Sequence, residues 1–150
     1  MLELRPFCDL EIRLGAPLEL GASLRGRRRI IPITGGTVLG ERLRGKVLPG
    51  GADWQTVYED GTAQLEARYT LQLDDGALVD VTNFGYRHGP PEILAALARG
   101  DPVDPQSYTM RTTPRFETGD PRHAWLNRTL FVATGARLPD AVELSVYEIL

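Results

Sequence analysis

The sequence predicts a mainly-β protein, a closed antiparallel barrel with one short helix. Three observations carry that prediction. Apolar and polar residues alternate with period two through several segments, the pattern of strands with one face in a core and one in water. Aspartate–glycine pairs fall between alternating segments, where tight hairpins need residues that tolerate unusual backbone angles. Only one segment carries helix signals at both ends. With 16 glycines and 11 prolines in 150 residues, turns are frequent. Residues 1–150 suit a single barrel domain with one continuous core. A barrel is favoured over a sandwich because closure removes sheet edges, which this chain has few other devices to block.

The first strand is marked by Leu10, Ile12 and Leu14, which alternate with Asp9, Glu11 and Arg13. Two short apolar runs follow, Ile30 to Ile33 and Gly35 to Leu39, punctuated by Pro32 and Gly35-Gly36. Leu48-Pro-Gly-Gly-Ala-Asp53-Trp54 reads as a turn-rich loop running into a strand. Asp60-Gly61 predicts a hairpin, after which Leu65, Ala67, Tyr69, Leu71 and Leu73 alternate with Glu66, Arg68, Thr70 and Gln72. Asp75-Gly76 predicts a second hairpin, with Ala77 to Asn83 as its returning strand.

The helix begins at Pro90-Pro91-Glu92, since proline in a first turn forfeits no hydrogen bond and glutamate there is favoured by the helix dipole. Ile93, Leu94 and Leu97 share its apolar face, and Gly100 suits its end. Three further strands are expected: Ser107 to Pro114, Ala124 to Thr134 and Ala141 to Ile149.

Several function classes fall away. A net charge of −3 is no basis for holding nucleic acid or an anionic membrane. The basic run Arg25, Arg27, Arg28 and Arg29 lacks interleaved aromatics, and reads as a solvated turn and strand start. Cys8 stands alone, so no internal disulfide forms, and on an alternating strand it reads as a small packed residue. Acidic residues interrupt the first apolar run, which is unlike a secretion signal, and no run approaches the ~18 apolar residues of a spanning helix. A cytoplasmic, reducing setting is the default expectation.

The stretch Gly40-Glu-Arg-Leu-Arg-Gly-Lys46-Val47 matches the phosphate-loop pattern except at its end, where Val47 replaces the required Ser or Thr. A phosphate loop feeds a helix N-terminus, and Val47-Leu48-Pro49-Gly50-Gly51 cannot begin a helix. A turn between two strands is expected there. His88 and His123 lack companion ligands at metal spacing, so neither a metal nor any other cofactor is expected.

The remaining chemistry lies in polar residues of the strand segments. If Ala124 to Thr134 is a strand, Trp125, Asn127, Thr129 and Phe131 share one face, and a buried indole N–H and amide would need partners. Arg111 and Glu117 lie just before this strand. An arginine–glutamate pair there is either part of the architecture or part of a ligand-reading site.

Two segments carry a family resemblance. They are Arg29-Ile-Ile-Pro-Ile-Thr-Gly-Gly36 through Gly45-Lys-Val-Leu-Pro-Gly-Gly-Ala-Asp-Trp54, and Arg111-Thr-Thr-Pro-Arg-Phe-Glu-Thr-Gly119 through Trp125-Leu-Asn127. With Asp60-Gly61, Asp75-Gly76 and Asn83-Phe-Gly85, they resemble the small microbial proteins of domain-of-unknown-function family 3237 over nearly the whole chain. The resemblance implies a lipocalin-like (calycin-type) barrel, a homo-oligomer, and binding of or action on small organic molecules. Asp53, Trp54, Arg111, Glu117, Trp125 and Asn127 match its pattern, whereas His123 stands where an aromatic such as tyrosine is expected.

Two functional readings follow. In the first, the barrel interior binds a small organic acid or carbonyl compound and supports cofactor-free acid–base chemistry, such as isomerisation, elimination or hydrolysis. Arg111 would pair with the ligand's oxygen, and Glu117 or Asp53 would act as base or acid. Trp54, Tyr69 and Trp125 would form apolar walls, and Asn127 would supply a directional hydrogen bond. Such a site calls for a cavity of at least ~300 Å³. In the second, these residues are architecture and the protein is a non-catalytic structural or protein-interaction module.

Overall fold

The computed structural model describes residues 1–150. Ten strands occur in the order β1 (Leu4–Leu14), β2 (Leu18–Ala22), β3 (Arg27–Leu39), β4 (Gly45–Val47), β5 (Gly51–Val57), β6 (Ala63–Leu73), β7 (Leu78–His88), β8 (Thr109–Glu117), β9 (Phe131–Arg137) and β10 (Ala141–Ile149). One α-helix, α1 (Pro91–Ala98), lies between β7 and β8. Two 3₁₀ segments, Pro105–Ser107 and Pro121–Arg128, flank β8.

All pairings are antiparallel, and they run in a ring from β1 through β10, β9, β8, β7 and β6 to β3, which pairs back with β1. β4 and β5 share one place in that ring, since both bridge β3 and β6. β2 lies outside it as a flap on β3. The result is the expected closed barrel of eight strand positions.

The two apolar runs around Pro32 and Gly35 form a single long strand, β3, rather than two. Its first half pairs with β2 and β5, and its second half with β1 and β4. The change of partners needs a sharp bend, supplied at Gly36 by a backbone φ of +145° that side chains rarely tolerate. The phosphate-loop look-alike is the turn from β3 into β4, as expected. The hairpins at Asp60-Gly61 and Asp75-Gly76 form where the sequence places them, each aspartate accepting from the amide two residues on, at 2.9 and 3.0 Å. Gly100, with φ +80°, ends α1.

Two strand expectations need correction. The strand expected at Ser107 to Pro114 begins later and runs to Glu117. The first part of the segment expected as a strand from Ala124 to Thr134, through Arg128, belongs to the 3₁₀ stretch Pro121–Arg128, and β9 starts only at Phe131. The signal is Asp120-Pro121: the Asp120 side chain accepts from the Arg122 amide at 3.0 Å, and Pro121 occupies the first helical position. β2 has no counterpart among the expected strands, because its Leu18, Leu20 and Ala22 face solvent and leave no buried stripe.

The barrel is filled by side chains. Leu10, Val38, Tyr69, Leu71, Val79, Val81 and Val146 are fully buried along the inward faces. At one end, Phe7 packs edge-on against Phe116 and Trp125 and tilted against Phe131, and Arg42 lies 4.1 Å over the Trp125 ring. Glu148 closes that end by accepting from Arg5 at 2.8 Å and Arg42 at 2.7 Å. These bonds hold its carboxyl below the usual carboxylate range. Cys8 is packed inside as expected, and burial pushes its thiol up to about 12, so it is uncharged.

Candidate functional site

Strand parity decides which side chains enter the barrel. On β5, Trp54 faces out, so Asp53 and Gln55 face in. On β7, the buried positions are Val79, Val81, Asn83, Gly85 and Arg87. On β8 they are Met110, Thr112, Pro114 and Phe116. The register stacks these positions in levels. Asp53 sits beside Ile31 and Ala67, and Ala67 beside Asn83. One step toward the α1 end, Gln55 lies beside Arg29 and Leu65, and Gly85 beside Thr112. One step further, Arg87 lies between Ala63 and Met110. Gly85, between Asn83 and Arg87, lies tight against the β8 backbone, where an added methyl group would collide with the Arg111 carbonyl.

This end of the barrel collects charge. Arg29, Arg87 and Arg137 lie close enough to influence one another and Asp53. Arg87 is only 7% exposed, and its Nε has no hydrogen-bond partner. Burial and repulsion from Arg137 and Arg29 lower Arg87 to about 10, so it stays charged at neutral pH. Burial and Arg29 lower Arg137 as well. Its guanidinium donates to the Leu138 and Ala141 carbonyls, and its amide donates to the Tyr108 hydroxyl at 2.8 Å. Arg29 has one loose partner, Glu19, with Nε 3.8 Å from the carboxylate.

Asp53 is the carboxylate of this region. One oxygen accepts from the Glu66 amide at 3.1 Å, the other from the Gln55 side chain at 2.7 Å. None of the molecule's ion pairs includes Asp53, Arg87 or Arg137. Burial pushes the Asp53 carboxyl up, opposed by the Gln55 bond, by Arg87, by the Glu66 amide and by Arg29.

Further orphaned polar atoms surround it: the Tyr69 hydroxyl, Gln55 Oε1, Asn83 Oδ1 and Thr112 Oγ1 have no partner. Buried polar atoms are nearly always paired, so this concentration in one region marks a candidate site. Burial pushes the Tyr69 phenol up, leaving a neutral hydroxyl. Asp53, Tyr69, Asn83 and Thr112 line an internal cavity of about 40 Å³, walled elsewhere by apolar residues such as Ile12, Leu65 and Leu144. The expected cavity of ~300 Å³ is not there. Tyr69 and the branched aliphatics occupy the space, leaving room for a few water-sized groups.

Of the expected site residues, only Asp53 and Tyr69 meet inside. Arg111 and Glu117 stand on the outer face of β8, exposed, because the inward parity belongs to Thr112, Pro114 and Phe116. Six residues apart on one strand, they are about 20 Å from each other and form no pair. Arg111 donates to the Met110 carbonyl at 2.9 Å. Glu117 and Asn127 border an outer groove of about 720 Å³ with Asp80, Arg115 and Arg128. Asn127 clasps the end of β8, its Oδ1 accepting from the Thr118 amide at 2.8 Å and its Nδ2 donating to the Thr118 carbonyl at 2.9 Å. Trp54 lies on the outside, 40% exposed, in an open groove shared with Arg68 and Phe84. Trp125 belongs to the aromatic cluster at the opposite end. His123 pairs with Asp75 at 2.6 Å in the hairpin between β6 and β7.

Sequence reading passes over Gln55, Arg87 and Arg137, and sees Arg29 only as part of a basic run. Arg87 is within its reach, since Val79, Val81, Asn83 and Gly85 set the inward parity that it continues. The outward position of Glu117 has a direct consequence. Glu117→Gln is expected to leave the thermal midpoint within about 2 °C, matching a surface change of about 0.5 kcal/mol. A loss above ~1 kcal/mol in thermal denaturation would reinstate an architectural role for that side chain.

The fold and its interior define a small, closed β-barrel protein with an arginine-rich, aspartate-bearing end. The chain belongs to the family described as "Protein of unknown function (DUF3237)", whose model matches residues 2–149. It is 46% identical to a UPF0311 protein of Rhodopseudomonas palustris over 149 residues, which cover 99% of this chain and 97% of the relative. A crystal structure of a conserved protein of unknown function from R. palustris superposes with a TM-score of 0.95 at 45% identity, covering 100% of this chain and 98% of the other. A β-barrel-like protein from Acinetobacter baumannii gives 0.88 at 45% identity, covering 100% and 97%. A more distant neighbour, called an enzyme from Penicillium herquei, gives 0.72 at 22% identity over 100% and 94%, a likeness of fold.

Proposed function

We propose that the barrel interior binds a small organic acid or carbonyl compound and that Asp53 carries a proton to or from it. One observation carries this reading: strand parity turns Arg29, Arg87 and Arg137 toward the barrel end that holds Asp53, and none of the three pairs with that carboxylate. Arg29, Arg87 and Arg137 would hold the ligand's anionic or polarised oxygen. The Tyr69 hydroxyl, Gln55 Oε1 and Asn83 Oδ1, each without a partner, would orient its polar groups. With an oxygen polarised by arginine, a carboxyl pushed by burial above its ordinary value is suited to proton transfer, the chemistry common to isomerisation, elimination and hydrolysis.

The cavity seats only a few heavy atoms, so the reading calls for a very small ligand or for movement of α1, whose Leu94 packs on Gly61 in the turn between β5 and β6. A catalytic role is in keeping with a fold neighbour that is called an enzyme, though 22% identity transfers no reaction. Arg111, Glu117, Trp54, Trp125 and Asn127 take no part in this reading.

Thermal-shift titration with acetate, lactate, pyruvate and benzoate tests binding directly, since a ligand bound only by the folded chain raises the midpoint with concentration. Asp53→Asn tests the role of the carboxylate. Its folded pKa is raised, so the wild type loses stability as pH climbs from the ordinary aspartate value toward the raised one. The asparagine variant lacks that loss. Gln55 can rotate its amide so that its unpartnered Oε1 accepts from the side-chain amide introduced at position 53. At pH 7 the variant is expected to melt about 2–4 °C higher, from roughly 1 kcal/mol, and to lose any proton-transfer activity. A variant destabilised by more than about 1 kcal/mol would show that ionised Asp53 is structural.

A further inference from the structure

We infer that the internal cavity reads a hydroxyl group, so that the barrel selects hydroxylated organic acids over their deoxy and oxo analogues. The selection rests on the ligand-site reading above and names the class of compound that the site takes.

Four polar side chains line the cavity, Asp53 from β5, Tyr69 from β6, Asn83 from β7 and Thr112 from β8, and the rest of its wall is apolar. Register brings them together. Asp53 and Asn83 both stand opposite Ala67, whose short side chain leaves the level between them unfilled. Tyr69 is the next inward position of β6, and Thr112 stands opposite Gly85, the next inward position of β7. Tyr69, Asn83 and Thr112 are each more than nine-tenths buried. The Tyr69 hydroxyl, Asn83 Oδ1 and Thr112 Oγ1 have no hydrogen-bond partner in the protein. Buried polar atoms left unmet are costly, so a ligand group that meets all three is held strongly.

The atoms themselves decide what that group is. A carboxamide oxygen only accepts, so whatever faces Asn83 Oδ1 must donate. The Tyr69 and Thr112 hydroxyls can each donate, and neither has an acceptor within the protein. Asp53 adds acceptor capacity, each of its oxygens already taking one bond, from Glu66 and from Gln55. A group that donates once and accepts twice fits this set. A hydroxyl does so: it gives its proton to Asn83 or Asp53 and accepts from Tyr69 and Thr112. A carbonyl oxygen accepts from the two hydroxyls but leaves Asn83 unmet. A methylene meets none of them. Size agrees, since about 40 Å³ has room for a hydroxyl and little more than its carbon. The acid group of the same ligand would lie toward Met110, which lines the cavity and stands opposite Arg87.

Calorimetric titration of the full-length protein at pH 7 with lactate, pyruvate and propionate compares three acids that differ only in the group at the second carbon. Lactate is expected to bind at least about 10-fold more tightly than propionate, with pyruvate between them. Thr112→Val keeps the shape and loses the hydroxyl. It is expected to fold with an undiminished thermal midpoint, to bind propionate as the wild type does, and to lose most of the advantage of lactate. Tyr69→Phe is expected to weaken lactate in the same selective way. Equal affinity for lactate and propionate would overturn the hydroxyl assignment and leave the ligand site standing. Pyruvate binding more tightly than lactate would overturn it by giving the cavity to a carbonyl. A lactate advantage that survives in both variants would also overturn it, because the hydroxyl would then be read elsewhere. Absence of binding by all three acids would bring down both the assignment and the site on which it rests.

Discussion

Arg87→Met is expected to raise the thermal midpoint while cutting affinity for an organic anion such as benzoate by about 100-fold, or about 2.7 kcal/mol. The stability gain has a clear origin. Arg87 is buried among two other arginines, its Nε is unpartnered, and no carboxylate pairs with it. A buried charge without a partner costs several kcal/mol of desolvation, and an apolar side chain of similar length avoids that cost. A rise of roughly 2–6 °C is expected, from about 1–2 kcal/mol.

The loss of affinity follows from the same arrangement, because a largely buried guanidinium without a carboxylate partner is what an entering carboxylate would pair with. Arg87→Lys should recover little, since a compact ammonium lacks the planar fork and is more costly to bury. Thermal denaturation and benzoate titration of both variants check this. Unchanged affinity in Arg87→Met would move the anion site elsewhere. A fall in midpoint would mean that Arg87 is held by contacts that stabilise the barrel.

Gly36→Ala is expected to cost about 4 kcal/mol or more and to lower the midpoint by roughly 10 °C. A methyl group on Gly36 would collide with the Glu11 carbonyl on β1, and the backbone there has φ +145°. Neither side of that contact can give way cheaply, because both are backbone in the seam where β1 and β3 close the ring. Gly76→Ala is the control. Its φ is +89° but nothing lies within 4 Å of an added methyl, so only the conformational cost of about 1 kcal/mol applies. Comparable midpoints for the two variants would show that the seam relaxes around Gly36 and that close backbone approach is not what keeps glycine there.

The barrel itself was legible in the sequence because its signals are local. The alternation of Leu65 to Leu73, the aspartate–glycine turns, the proline at the start of α1 and the glycine at its end each act within a few residues, and each appears where the local rule puts it. The exceptions were also local in cause. Asp120-Pro121 begins a 3₁₀ segment that overrides the apolar pattern from Ala124 onward, and β2 shows no buried stripe because it is a flap outside the ring.

The site was legible only in part, because it is assembled from strands far apart in the chain. Asp53 could be singled out by its place in the turn-rich entry to β5, and Tyr69 by its alternation along β6. Arg111 and Glu117 could not be placed until the strand's parity was known, and a shift of one residue exchanges inside for outside. Arg29, Arg87 and Arg137 come from β3, β7 and β9, and nothing in the local sequence of any one of them refers to the others. The sequence alone determined which segments become strands and where they turn, since backbone preference and hydrophobic period act over short range. Only closure of the barrel decided which charges meet, because ring order and register bring distant inward positions to one end, where no arginine pairs with Asp53.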